Sequence, residues 1–505
     1  MPSPNSNPNK YLRLLFIFLP LLLTGCYLFF SLSLLIDDPQ VWPDEALYGD
    51  IARNIAFENR LGTDLLSGMI KGIENHAYWI PPFFMYTLGF WIKLFGTSIE
   101  TQRLFSVFLG VAFILTSYQI TKSIAPSGKK LISKIIPFLT TLLIITDPAF
   151  IKASRLSRPE MLVITLVGLA LFFYLQVFKQ KKRQGLLLRL SGLLIGLAVT
   201  THLIAVGFAA AFSLHLLYCY WKKILKLKQI LSFLVFFSIP VVVWLLSIFP
   251  NYDLLFDQLN IISNSRTFTI PWYVNVSGFP LMLRLNYFIY IAVSLFFILF
   301  TLRNKKPENI LLSFILVSSW IFITLGEIFW YTVYPIVFTY LALSVLAGYF
   351  FKTAGRKTFH KLGQIVLAVT GLFLFFSNIS DHMRLQNTYP NKGGYSQQFI
   401  NQIRGNIPAG KTVFLSSIPD AYFAFEPDRN KLFEYPAFFA DKEDFKKVMA
   451  ASDYVIFSNY FSPVEVSGYQ DRYMSKNMES FVELSSPYRI LIIKLKDKSS
   501  RVEVD

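Results

Sequence analysis

Asp44 and Glu45 stand side by side in the segment Trp42-Pro43-Asp44-Glu45-Ala46-Leu47-Tyr48, directly after the first long hydrophobic run of the chain. Adjacent carboxylates at the mouth of a membrane helix are costly to desolvate, and ionisable groups in such places mark function more often than chance. A carboxylate there can take a proton from an incoming nucleophile as a general base. A local role fits the same residues: Pro43 at a first helical position, followed by acids, is a favourable helix start that complements the helix dipole. Neighbours on a helix point about 100° apart, so the two acids cannot face one ligand equally.

A second polar segment, Lys152-Ala153-Ser154-Arg155-Leu156-Ser157-Arg158-Pro159-Glu160, separates two later hydrophobic runs. Arg155 and Arg158, three apart, can share a helical face and grip a phosphate in a forked geometry. Glu160 opens the next run. The plainer alternative is an Arg–Glu pair whose cations snorkel to lipid phosphates. Weaker signals are His76, His202 in the tight Thr200-Thr201-His202 turn, Arg266 in the stretch 250–280, and Glu327 ahead of Phe329-Trp330-Tyr331-Thr332-Val333-Tyr334-Pro335.

The elements that must position these residues are membrane helices. Of the 505 residues 54% are hydrophobic and 16% charged, with 51 Phe and 26 Tyr to pack between helices and anchor at interfaces. Runs long enough to span, about 20 residues, predict eleven helices near 11–36, 101–121, 132–150, 161–178, 186–200, 203–220, 230–249, 281–302, 310–325, 331–350 and 362–379. The first run is too long for a cleaved signal peptide and is expected to remain as a span. The net charge of +17 is not a nucleic-acid signature, because the Lys and Arg residues gather in alternate loops, as the positive-inside rule requires. That pattern puts the N-terminus in the cytoplasm and the loops 37–100, 147–160, 201–203, 250–280 and 326–330 outside, with the C-terminal segment. Cys26 and Cys219 lie within hydrophobic runs and offer neither a disulfide framework nor a metal site.

The loop 37–100 is too long to be a connector. It predicts one helix from Pro43 to about Phe57. An aromatic segment from His76 through Pro81-Pro82 to Gly96 follows, too short to span and suited to lying in the interface. Beyond residue 380, Thr412–Leu415, Tyr454–Phe457 and Ile490–Ile493 predict buried strands, with helical spacing at 419–425 and 441–451 and Asp441 as an N-cap. The expected organisation is a polytopic α-helical membrane domain over 1–380 and a small extracytoplasmic α/β domain over 381–505.

The acidic pair after the first span, the Pro81-Pro82 aromatic segment followed by Lys93-Leu94-Phe95-Gly96 and Arg103, the Arg158-Pro159-Glu160 turn and the Tyr331-to-Pro335 stretch occur in this order. Together they resemble the polyprenyl-phosphate-sugar-dependent GT-C glycosyltransferases, in particular the bacterial relatives of protein O-mannosyltransferases and lipid A aminoarabinose transferases. The resemblance covers roughly residues 1–380. It implies a GT-C-like fold and inverting transfer of a sugar from a polyprenyl-phosphate donor to a lipid, protein or glycan acceptor at the outer membrane face. It also implies Asp44, Glu45 and Glu160 at the active site, and basic residues around the donor phosphate. The chain departs from the pattern at Leu47, where many relatives have Arg, and at Ile80, where many have Lys or His. Lys71, His76, Arg155, Arg158, His202 and Arg266 are the candidates to hold the phosphate in their place.

The chemistry is consistent with those residues. Inversion needs one carboxylate to accept the acceptor's proton, and a phosphate leaving group needs charge stabilisation rather than protonation. Asp44 is the expected base, with Glu45 positioning the acceptor or the helix. No cofactor is required; a divalent metal near Asp44 is compatible with the carboxylates, but no ligand spacing demands one. The alternative is a lipid or sugar-lipid flippase, which would place charges near the bilayer midplane and show repeated halves.

Overall fold

The computed structural model describes residues 8–36, 38–39, 41–124, 132–265, 281–325, 331–352, 358–388, 397–416, 419–425, 430–435, 442–457, 464–484 and 489–502. Each predicted apolar run is a helix. They are α1 (Pro8–Ser33), α4 (Ile99–Ile124), α5 (Ile132–Thr146) with α6 (Pro148–Ser154), α7 (Pro159–Val177) and α8 (Gln184–Val199). The series continues with α9 (Ala205–Trp221), α10 (Leu227–Ile248), α12 (Leu281–Asn304), α13 (Pro307–Leu325), α14 (Val333–Lys352) and α15 (Thr358–Thr388). Among the described residues six helices are long and apolar enough to cross a membrane, and α5 with α6, bent by 66°, adds a seventh. The protein is a multi-pass membrane protein, although several of the eleven runs form helices shorter than a full span.

Two local features explain the bundle's tightness and its break. On α8, a Cβ at Gly192 or Gly196 would sit 2.3 Å from the carbonyl oxygen of Phe233 or Phe237 on α10, so only glycine allows the backbones to approach this closely. Between α5 and α6, Pro148 ends the first helix and Asp147 caps the second, its Oδ1 accepting the Ala149 N–H at 2.9 Å. Oδ2 of Asp147 accepts the hydroxyls of Tyr290 on α12 at 2.6 Å and of Tyr340 on α14 at 2.8 Å. Asn378 on α15 donates to the Tyr340 hydroxyl at 3.2 Å, which extends the buried polar hub to a further helix.

Helices α2 (Pro43–Glu58) and α3 (Phe83–Phe95) build the loop 37–100 as expected. The first N–H of α3, that of Phe83, donates to Thr200 O at 2.9 Å and so docks the helix on the α8–α9 turn. Tyr86, Phe90, Leu94 and Phe95 of α3 remain exposed, the face an interfacial helix presents to lipid. The segment 61–77 is stapled to α11 (Tyr252–Ser265) by Gln258, which accepts the Tyr78 N–H at 3.0 Å and donates to His76 O at 2.7 Å.

Helix α15 runs past the expected boundary at 380. The C-terminal domain then follows as α16 (Gln397–Asn406), β1 (Thr412–Ser416), α17 (Pro419–Tyr422), β2 (Lys431–Tyr435), α18 (Lys442–Ala451), β3 (Tyr454–Phe457), α19 (Val464–Asn477), β4 (Met478–Leu484) and β5 (Ile490–Leu495). The sheet order is β2-β1-β3-β5-β4, with β1 parallel to β2 and β3, and β5 antiparallel to β3 and β4. Val413–Leu415 and Val455–Ile456 are buried at its centre, the runs the sequence marks as strands. Asp441 lies outside the described residues.

Candidate active site

The site is built where the first turn of α2 meets the turn between α6 and α7. Pro43 starts α2, and the Trp42 N–H donates to Glu45 Oε2 at 3.0 Å, closing the first turn. Pro159 starts α7 and forces Arg158 into extended backbone, with φ −133° and ψ 160°. Arg155 and Arg158 therefore do not share a helical face. Arg155 turns back to α1, donating to Ser31 O at 3.2 Å and to Phe30 O and pairing with Asp38 at 3.1 Å. This corrects the forked phosphate grip expected of the two arginines: the proline between helices sends them to different partners.

Glu45 is fully buried and saturated. Its oxygens accept Arg103 Nε at 2.9 Å, Arg103 Nη2 at 2.7 Å, the Ser157 N–H at 2.9 Å and the Trp42 N–H. Arg103, equally buried, also donates to Leu35 O and Pro39 O in the segment that follows α1. Glu45 thus ties α2 to α4, to the segment that follows α1 and to the α6–α7 turn, and it presents no oxygen to solvent. Arg103 belongs to the motif order read in the sequence, but not to the expected site residues; a lone cation at the start of an otherwise apolar span was the available signal.

Asp44, one residue earlier, has the opposite environment. Its side chain is 34% exposed and pairs with Arg158 Nη1 at 2.9 Å. Arg158 is 5% exposed and is held from behind by Glu160, itself 3% exposed, at 3.0 Å. The three charges sum to −1, and among them only Asp44 reaches solvent. Tyr48, one turn along α2, is buried; desolvation, then the Asp44 carboxylate, pushes its hydroxyl well above the ordinary tyrosine range. Tyr331 and Tyr334 lie within electrostatic reach of the same cluster, with their rings stacked at 6.3 Å. The Tyr334 hydroxyl is buried, with no hydrogen-bond partner among the described residues. His202 packs edge-on against Tyr331 at 5.7 Å, which brings the α8–α9 turn to the site.

The remaining candidates are elsewhere. Lys71 is 78% exposed and pairs with Asp257 of α11 at 3.0 Å, and His76 stacks on Tyr78 at 4.8 Å. Both belong to the staple between the 61–77 segment and α11. Arg266 lies outside the described residues. Leu47 and Ile80 are buried and apolar. Among the described residues no three His, Cys, Asp or Glu side chains converge as a metal site, and the Arg158 guanidinium stands between Asp44 and Glu160.

No family model matches the chain. An uncharacterized protein of Aquifex aeolicus (strain VF5) is 26% identical over 352 residues, 66% of this chain and 66% of that protein, so the chain spans just under two thirds of the relative's length. Solved structures overlay much more of it. ArnT from Cupriavidus metallidurans bound to undecaprenyl phosphate superposes with a TM-score of 0.60 at 12% identity, covering 95% of this chain and 98% of that one. The fold is GT-C-like. The archaeal oligosaccharyltransferase AglB from Archaeoglobus fulgidus, in complex with an inhibitory peptide and a dolichol-phosphate, shares this GT-C-like arrangement with a TM-score of 0.55 at 13% identity over 97% of this chain and 75% of that one. The arabinofuranosyltransferase AftD from Mycobacteria does so with 0.54 at 14% identity, over 94% and 40%.

Proposed function

We propose that this protein is an inverting glycosyltransferase that moves a sugar from a polyprenyl-phosphate donor to an acceptor at the non-cytoplasmic face of the plasma membrane. The observation that carries the reading is the asymmetry at 44–45: one acid is sealed into the fold, and its neighbour faces solvent on a buried, braced arginine. An acceptor hydroxyl at Asp44 gives its proton to the carboxylate as its oxygen bonds to the anomeric carbon. The bond from that carbon to the donor phosphate breaks on the opposite face, and the polyprenyl phosphate leaves with the electron pair. General-base help of this kind contributes about 10²–10⁴ in rate.

Arg158 orients Asp44, and Glu160 holds Arg158. Because this triad is net negative, the donor phosphate is assigned to the hydrogen-bond donors that neighbour it, His202 and the hydroxyls of Tyr331 and Tyr334. Hydrogen-bond donors in a site shielded from water stabilise the growing charge on the phosphate. The ArnT structure holds undecaprenyl phosphate and the AglB structure a dolichol-phosphate, which supports a lipid-linked donor here. The test gives purified protein radiolabelled polyprenyl-phosphate sugars with lipid, peptide and glycan acceptors. Label leaving the carrier in wild type, and falling at least about a hundredfold in Asp44→Asn, is the expected result. Full transfer by both Asp44→Asn and Glu45→Gln rejects the assignment. Movement of intact donor across proteoliposomes without bond cleavage points to a flippase instead.

A further inference from the structure

Asp50 is a buried acid with no part in the chemistry above, and three parts of the molecule meet on it. It lies on α2, the helix that carries Asp44 in its first turn. Oδ2 of Asp50 accepts Thr63 Oγ1 at 2.6 Å and the Asp64 N–H at 3.2 Å, both from the segment after α2. Oδ1 accepts the hydroxyl of Tyr422, from α17 of the C-terminal domain, at 3.1 Å. Arg53 Nη2 lies 3.6 Å from the same oxygen and is itself fixed by Asn54 Oδ1 at 2.8 Å. Asp50, Arg53, Asn54, Thr63 and Tyr422 are all buried, so this contact excludes water. Tyr422 is not on a loose tip: its neighbours Ala421 and Ala424 are fully buried, and Arg404 of α16 donates to Ala424 O at 3.0 Å.

The geometry of α2 gives the contact a consequence. Glu45 pins the first turn to Arg103 and Ser157, and farther along Ile51 and Ala52 are buried where α2 packs closely on Gly89 of α3. Asp50 is a second pin, five residues on and so about 7.5 Å along the axis. Together these contacts fix the axis and its rotation, and rotation decides which way Asp44 points. We propose that the C-terminal domain is part of the catalytic apparatus: Tyr422, acting through Asp50, is a positioning residue that sets the direction of the Asp44 carboxylate. The role rests on the glycosyl-transfer reading of α2; the clamp itself does not.

Tyr422→Phe in the full-length, detergent-solubilised protein removes one oxygen atom. Amide hydrogen exchange over the second half of α2 is expected to rise about five- to tenfold, the worth of one hydrogen bond. The kcat for sugar transfer is expected to fall by a similar factor while the donor KM stays within about twofold, since orientation rather than binding is lost. Asp50→Ala, which removes the acceptor, reproduces both effects, and the double variant is no worse than Asp50→Ala alone because the Tyr422 hydroxyl then has no carboxylate left to bond. Unchanged exchange in both variants overturns the proposal, as does faster exchange with undiminished kcat. A wild-type protein that transfers no sugar from any polyprenyl-phosphate donor removes the glycosyl-transfer reading, and the exchange data then decide the clamp alone.

Discussion

Two acid–arginine pairs, Glu45–Arg103 and Asp44–Arg158, begin at adjacent residues and end in opposite environments. In the first both side chains are fully buried, and the carboxylate accepts from Arg103, from the Ser157 N–H and from the N-cap of its own helix. In the second the arginine is buried and braced, but the acid is left one-third open. The difference arises from the roughly 100° between neighbours on a helix, which turns one carboxylate to the packed side and the other to the cavity side. Similar chemistry thus becomes architecture in one case and a reactive group in the other.

The strongest way to break this comparison is to remove one charge of the sealed pair. Glu45→Leu or Arg103→Leu leaves an uncompensated buried ion and is expected to destabilise the protein by about 3–5 kcal/mol, read as loss of folded material and a lowered Tm in detergent. Asp44→Asn, in contrast, leaves Arg158 paired with Glu160 and is expected to cost less stability than either of these, while lowering transfer at least about a hundredfold. If Asp44→Asn unfolds the protein as Glu45→Leu does, the two pairs are equivalent and the contrast is wrong.

Smaller effects sharpen the open side. Tyr334→Phe deletes a buried hydroxyl that has no partner among the described residues, so stability should rise slightly, by up to about 1 kcal/mol. Donor KM should rise severalfold if that hydroxyl meets the phosphate; an unchanged KM removes Tyr334 from the donor-binding residues. The smallest effect concerns pH. Burial pushes the Asp50 carboxyl up, against the opposing pull of Arg53, Thr63 and Tyr422 and with Asp64 adding to the rise. A carboxyl raised by folding binds its proton more tightly in the native state. Its contribution is therefore full below the unfolded value of about 3.9 and fades as pH climbs through the folded one. Thermal stability of wild type should fall over that window, and Asp50→Asn should flatten the slope.

Hydrophobic length made the bundle legible: all eleven apolar runs are helices, because a bilayer leaves backbone groups no other economical partner. The site was legible in part. The acidic pair could be found from its position, but not which member faces solvent, since that depends on Arg103 and Ser157 from distant segments. Spacing alone suggested that Arg155 and Arg158 act together, whereas Pro159 between two short helices separates them. His202 was marked by its tight turn, while Lys71 and His76, marked by charge and ring type, serve the α11 staple. In the C-terminal domain the apolar strands β1, β3 and β5 were readable. The edge strands β2 and β4 were not: Lys431 and Glu434 interrupt one, and the other is almost wholly exposed.

The hub around Asp147 has a bearing on how the chain is made. Its carboxylate sits at the break of the α5–α6 span, yet the hydroxyls that satisfy it come from α12 and α14, and the amide that supports them comes from α15. During synthesis the early helices form before these partners exist, so the carboxylate lacks them until the late helices arrive. The first half of the protein is therefore not a finished unit, and a chain stopped before residue 281 would leave the acid at the α5–α6 break without the tyrosine hydroxyls that satisfy it.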